Sequence, residues 1–159
     1  MKKEAVQALI SRWRWAVIVV GSGVCDVPGC KCGPECETTT FAYSVGMTLL
    51  DHPEFIISGM APKTAHTLIN YLCQDVAENG KQFKEGDDSW LLAPPMRSML
   101  INATTEKMVF ANRHFPDAGV RALQMVYGDP FFRLPWEPGA DNDGHECFAL
   151  NPAYQWKNR

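Results

Sequence analysis

Apolar positions along this chain fall into short runs whose spacing switches between helical and extended. From Glu4 to Trp13, the residues Val6, Leu9, Ile10 and Trp13 recur at helical intervals, which predicts a short amphipathic helix lying on a core. Trp15 to Val20 is aromatic and β-branched with no polar alternation, so it predicts a strand buried on both faces, closed by Gly21-Ser22-Gly23. Phe41 to Met47 and Phe55 to Met60 predict two further strands, paired as a hairpin across the Asp51-His52-Pro53 turn. The clearest element is Pro62 to Asn79. Its stripe of Ala65, Leu68, Ile69, Leu72, Cys73 and Val76 is continuous, Pro62 suits the first helical position and Gly80 suits the stop.

Beyond the Gly86-Asp87-Asp88 turn, Trp90 to Ala93 and Arg97 to Ala103 predict strands separated by Pro94-Pro95, and a short helix follows Thr105. Val120 to Tyr127 predicts the last strand. After Asp129-Pro130 the chain is rich in Pro, Gly and Asp, and residues 137–159 read as an irregular C-terminal tail. Strands and helices intermixed without regular β-α-β alternation predict an α+β fold. The expected form is a mainly antiparallel, curled, barrel-like sheet with one long helix and one or two short helices packed on it. With 159 residues, 46% of them hydrophobic, the chain fits a single domain, 1–159.

Charge narrows the partners. A net charge of −3 with no long basic stripe lacks the electrostatic footprint of a nucleic-acid binder. No apolar run approaches the roughly 20 residues of a membrane helix, and Glu4, Arg12 and Arg14 interrupt the N-terminal stretch where a secretion signal would need an apolar core. These features predict a cytoplasmic protein, in which clustered thiols stay reduced and favour metal over disulfides.

Four of the six cysteines, Cys25, Cys30, Cys32 and Cys36, share the spacing C-x4-C-x-C-x3-C within an insertion loop, 21–40. Four thiolates on one flexible segment can surround a single tetrahedral Zn2+. Structural zinc sites more often join two cysteine pairs from separate elements, so free thiols or disulfides stay open as alternatives. His145-x-Cys147 offers a further ligand if the tail folds back, whereas Cys73 on the long helix's stripe reads as core.

His52 and Glu54 flank Pro53 at the head of a strand, and Tyr43 and Asp129 join them as catalytic candidates if their strands are neighbours. A histidine oriented by a carboxylate can move protons near neutral pH. The plainer reading is a turn hydrogen-bonded to the sheet. Tyr43, Ser44, Gln124 and Trp136 are the candidate ligand-binding residues, and Trp136 with Phe131-Phe132-Arg133 offers either a partner anchor or a core closure. Gly21-Ser22-Gly23 imitates the start of a dinucleotide fingerprint, but Asp26 holds the third glycine position and Pro28 blocks the helix that would follow.

Phe41-Ala-Tyr-Ser-Val-Gly-Met47, His52-Pro53-Glu54 running into Phe55-Ile-Ile-Ser-Gly59, Ala122-Leu-Gln-Met-Val-Tyr-Gly-Asp129 and Arg133-Leu-Pro-Trp136 stand in an order that resembles the domain of unknown function 4262 family of bacteria and their phages. The resemblance spans most of Trp13 to Trp136. It departs at Ser44, where the family usually has Thr, at Met47 for Leu, and at Tyr127-Gly128-Asp129 for Trp-Pro-Asp. The cysteine loop reads as an addition to the family pattern. Since the resemblance implies no activity, the expectation is a non-enzymatic interaction or regulatory domain with a protein partner, of a kind that a phage can encode to act on a host protein. The alternatives are a small enzyme using a His/carboxylate pair, or a flavin- or nucleotide-binding protein of split-barrel layout. Self-association stays open.

Overall fold

The computed structural model describes residues 2–21, 40–88, 97–141 and 145–156. The expected strand at Trp90 to Ala93 and the four clustered cysteines lie outside the described residues. Helix α1 (Lys3–Trp13) stops where Arg14 turns into the left-handed region and its N–H bonds the Ile10 carbonyl. Strands β1 (Ala16–Val20), β2 (Phe41–Val45) and β3 (Glu54–Ser58) follow, then the long helix α2 (Pro62–Asn79), strand β4 (Ser98–Ala103), the short helix α3 (Val109–His114) and strand β5 (Ala122–Tyr127). Helix α2 begins on Pro62 and ends at Gly80 with φ +65°, because glycine enters the left-handed stop without a Cβ clash. Its stripe from Ala65 to Val76 is buried on the sheet, each large apolar side chain contributing about 1.5–3 kcal/mol.

The five strands lie in the order β1-β2-β3-β5-β4. β1 pairs antiparallel with β2, β2 with β3 and β4 with β5, but β3 and β5 run parallel at the centre. The sheet is therefore mixed, with three of its four pairings antiparallel, and among the described residues it is open rather than closed or strongly curled, which corrects the curled, barrel-like expectation. The reason is two-sided cover. Helix α2 packs on one face over Ala42, Phe55, Ile57, Leu100, Leu123 and Met125, while α1 and α3 cover Ile18, Tyr43, Val45, Ile56 and Ala122 on the other. A sheet sandwiched between helices buries both faces without needing to curl.

β1 stands at one end of this order: Ala16 and Ile18 are buried on the α1/α3 face, Val17 and Val19 pack half-buried against the α2 face, and Val20 is exposed. Both faces of the strand are thus covered along most of its length, and only its last residue opens to solvent.

The chain returns to the α1/α3 face through residues 145–150, held by side chains that imitate a neighbouring strand. Gln124 Nε2 donates to the Glu146 carbonyl at 2.8 Å while its Oε1 accepts the Phe148 N–H at 3.0 Å. Ser58 Oγ donates to the Glu146 carbonyl at 3.0 Å and accepts the Glu146 N–H at 2.9 Å. Beyond them Ala149 bridges Ala103, and Phe148 packs against Phe41. Gln124→Leu leaves the Phe148 N–H without its acceptor in a buried setting, so it should destabilise the fold by about 1–3 kcal/mol. Urea unfolding measures the loss, and faster hydrogen exchange at the Phe148 amide should accompany it.

Candidate functional site

The turn between β2 and β3 is organised around one carboxylate. Glu54 is fully buried, and its oxygens accept from Ser44 Oγ at 2.8 Å and from the N–H groups of Gly46, Met47 and Thr48 at 3.2, 3.0 and 2.8 Å, with Thr48 Oγ1 as a fifth donor. Three successive N–H groups can converge this way because Gly46 sits at φ +142°. A Cβ there would lie 2.5 Å from the Arg14 carbonyl oxygen and 2.7 Å from Trp15 Cα, so position 46 admits only glycine. Burial pushes the Glu54 carboxyl above the usual range, opposed by the bonds from Thr48, Ser44 and Gly46.

His52 faces a different set of partners from Glu54. Nδ1 lies 2.7 Å from the Pro53 carbonyl, and Nε2 accepts the Phe83 N–H at 2.9 Å. That assignment requires the neutral imidazole with its proton on Nδ1. The ring is 4% exposed and packs against Phe55 and Phe83. Its pKa lies below 6.5 because burial disfavours the charged form and the Arg121 charge adds to this, while the Pro53 carbonyl works the other way.

Asp129 holds the loop after β5. Oδ1 accepts the N–H groups of Phe131 and Arg133 at 2.9 Å each, and Oδ2 accepts Arg133 Nε at 3.0 Å and the Asp141 N–H at 2.9 Å. Desolvation opposes the charge but is outweighed by the N–H groups of Arg133, Asp141 and Phe131 and by the guanidinium, which draw the pKa down to about 2. Within this loop Phe132 takes φ +63°, a strained value for a bulky side chain, and its carbonyl accepts from Arg97 Nη1 at 3.2 Å. Phe131 is 74% exposed, with the Arg133 guanidinium 5.1 Å from its ring centre.

Tyr43 and Gln124 share one row across the sheet, separated by Ile56. Each is spoken for: Tyr43 Oη accepts the Phe110 N–H at 3.0 Å, tying β2 to α3, and Gln124 binds the returning tail. His52 and Asp129 belong to two separate turns outside that row, so the structure gathers two of these four residues and not the others. Ser44 faces Glu54. Trp136 packs with Tyr154 and Trp156 over Ile101, Val126 and Leu134. Cys73 is buried in the α2 face, and the His145 ring lies 4.1 Å from that of Tyr127. No group of three or more His, Cys, Asp or Glu suited to a metal occurs among the described residues.

An open cleft lies at the sheet end where β3 and β5 begin and β4 finishes. It encloses about 760 Å³, lined among others by Pro53, Glu85, Asn102, Thr105, Arg121 and Asn151. A smaller recess of about 180 Å³ beside it shares Pro53, Asn102 and Arg121 and reaches His52 and Phe83. Sequence reading missed Glu85, Asn102, Arg121 and Asn151, since they stand on four separated segments and none carries a local motif.

The Domain of unknown function (DUF4262) family model matches residues 9–141. The chain belongs to this family. The matched span contains the Glu54 turn, His52, the Gln124 row and the Asp129 loop, so these clasps lie within the DUF4262 domain, while the returning tail at 145–156 lies beyond the matched span. Neither the curated proteins nor the solved structures yield a match. No helix among the described residues is long and apolar enough to cross a membrane.

The ionisation pattern sets an acid response with two windows. A histidine held below 6.5 stabilises the fold fully above that pH and loses its contribution as pH falls through the depressed value. Urea midpoints should therefore fall as pH drops below the ordinary histidine value of about 6.5, and His52→Gln, which cannot gain the proton, should flatten part of that slope. Asp129 acts lower: its contribution is present above its ordinary 3.8 and disappears as pH falls toward about 2, so Asp129→Asn should be comparatively indifferent to that range.

Proposed function

We propose that this DUF4262 domain is a non-enzymatic interaction module that engages a protein partner through the Phe131-Phe132 loop. The observation that carries this reading is the combination of strain and exposure. A bulky residue at positive φ costs of order 1–3 kcal/mol and persists only where surrounding bonds over-determine it. Here the Asp129 carboxylate accepts the N–H groups on either side of the strained Phe132, those of Phe131 and Arg133, and the backbone so held carries the exposed Phe131 ring. An aromatic residue whose backbone is fixed before binding has less conformational freedom to lose on association, and Phe131 beside the Arg133 cation has the composition of an interface anchor.

The residues expected to run chemistry favour the same reading from the other side. Both ring nitrogens of His52 and both carboxylate oxygens of Glu54 bond the domain's own backbone or hydroxyls. A proton-transfer pair would need at least one of these groups turned toward a substrate.

The test is a photo-crosslinking phenylalanine analogue at position 131 in the natural host, followed by affinity measurement on the purified captured protein. Phe131→Ser should weaken binding tenfold or more with an unchanged melting temperature, and Asp129→Asn should weaken it as well by releasing the loop. Equal affinity for wild type and Phe131→Ser would refute the assignment.

A further inference from the structure

We propose that the cleft at the head of β3 and β5 is a binding site for a small zwitterion of the amino-acid or short-peptide class. It is distinct from the Phe131-Phe132 loop and does not depend on that loop's role. The volume of about 760 Å³ falls in the roughly 300–1,000 Å³ range of small-molecule sites. Its wall is divided by chemistry. Pro53, Val120, Ala122 and Leu150 give an apolar part, while Asn102, Thr104, Thr105 and Asn151 bring amides and hydroxyls.

Two opposite charges line this same space without neutralising each other. Arg121 Nη2 donates to the Asp51 carbonyl at 3.1 Å and to Asp51 Oδ1 at 3.3 Å, which leaves the rest of its planar donor fork for a second carboxylate. Glu85 is fixed elsewhere on the wall: Oε2 accepts the Asn102 N–H at 2.8 Å and Oε1 accepts Asn151 Nδ2 at 3.3 Å. Those two bonds tie the loop before β4, the strand itself and the returning tail to one carboxylate, so it is positioned before any ligand arrives. A carboxylate has about four lone-pair sites, and two remain for an ammonium.

A ligand with a carboxylate on Arg121, an ammonium on Glu85 and an apolar side chain on the Val120–Leu150 surface satisfies all three parts of the wall. A simple anion would meet Arg121 but leave Glu85 repelling it, and a simple cation would meet the converse. A dipolar ligand is the class that both charges favour.

Calorimetry with alanyl-leucine, N-acetyl-alanyl-leucine and alanyl-leucinamide separates the contributions, with amide chemical shifts of the nitrogen-labelled protein locating the site. The free dipeptide should bind, and blocking either end should weaken it at least tenfold. Arg121→Met should abolish discrimination against the amide, and Glu85→Gln, which keeps an acceptor for the Asn102 N–H, should abolish discrimination against the acetyl form. Thermal melts of both variants check that the fold is kept; if Glu85→Gln unfolds, the Arg121 arm and the three-ligand comparison decide alone. Absence of saturable binding below about 1 mM, equal binding of the three ligands, or shifts that map away from Asn102 and Asn151 would overturn the proposal.

Discussion

A buried carboxylate dictates the geometry of one whole end of this molecule. Removing Glu54 from water is costly, and the cost is offset only if donors surround both oxygens. The fold provides five, from Ser44, Gly46, Met47 and Thr48. To deliver three of them from consecutive backbone groups, the chain must turn sharply after β2, which is why a glycine pressed against Arg14 and Trp15 stands at position 46. That turn sets where β3 starts, and Phe55 N–H closes the arrangement by donating to Ser44 Oγ at 2.9 Å. Because burial leaves the Glu54 carboxyl raised rather than lowered, its contribution is to specify the turn more than to add net stability.

The other polar clasps repeat the principle at greater distance. His52 reaches the Phe83 N–H, thirty-one residues on, and so fixes the segment that follows α2. Gln124 and Ser58 receive the tail, and Asp129 gathers Phe131, Arg133 and Asp141. In each case a side chain that cannot stay unpaired in the interior finds backbone groups from a segment lacking regular structure. The loops are thereby ordered by the sheet, and ordered loops form both the sheet-end cleft and the exposed aromatic tip.

Much of the framework was legible in sequence. The Pro62 to Asn79 helix could be bounded to the residue, since its 3.6-residue stripe, its leading proline and its closing glycine agree. The strands were visible as β-branched runs, but their order was not. Local spacing carries no information on β5 entering between β3 and β4, and the parallel pair that results is what makes the sheet mixed. Likewise His52, Glu54 and Asp129 were recognisable as unusual positions. Sequence neighbours two apart suggested a His/carboxylate pair, whereas the fold gives each its own backbone partners. Glu85, Arg121 and Asn151 become meaningful only when three distant segments converge on the end of β4.

The central claim is that the Glu54 carboxylate is a structural organiser. Equilibrium urea unfolding of Glu54→Gln tests it most directly, because the substitution keeps size and shape but turns an amide NH2 toward groups that themselves donate. The account predicts a loss of at least about 3 kcal/mol, with increased hydrogen exchange at Met47, Thr48 and Phe55. A stability within about 0.5 kcal/mol of the native chain, with those amides still protected, would contradict it.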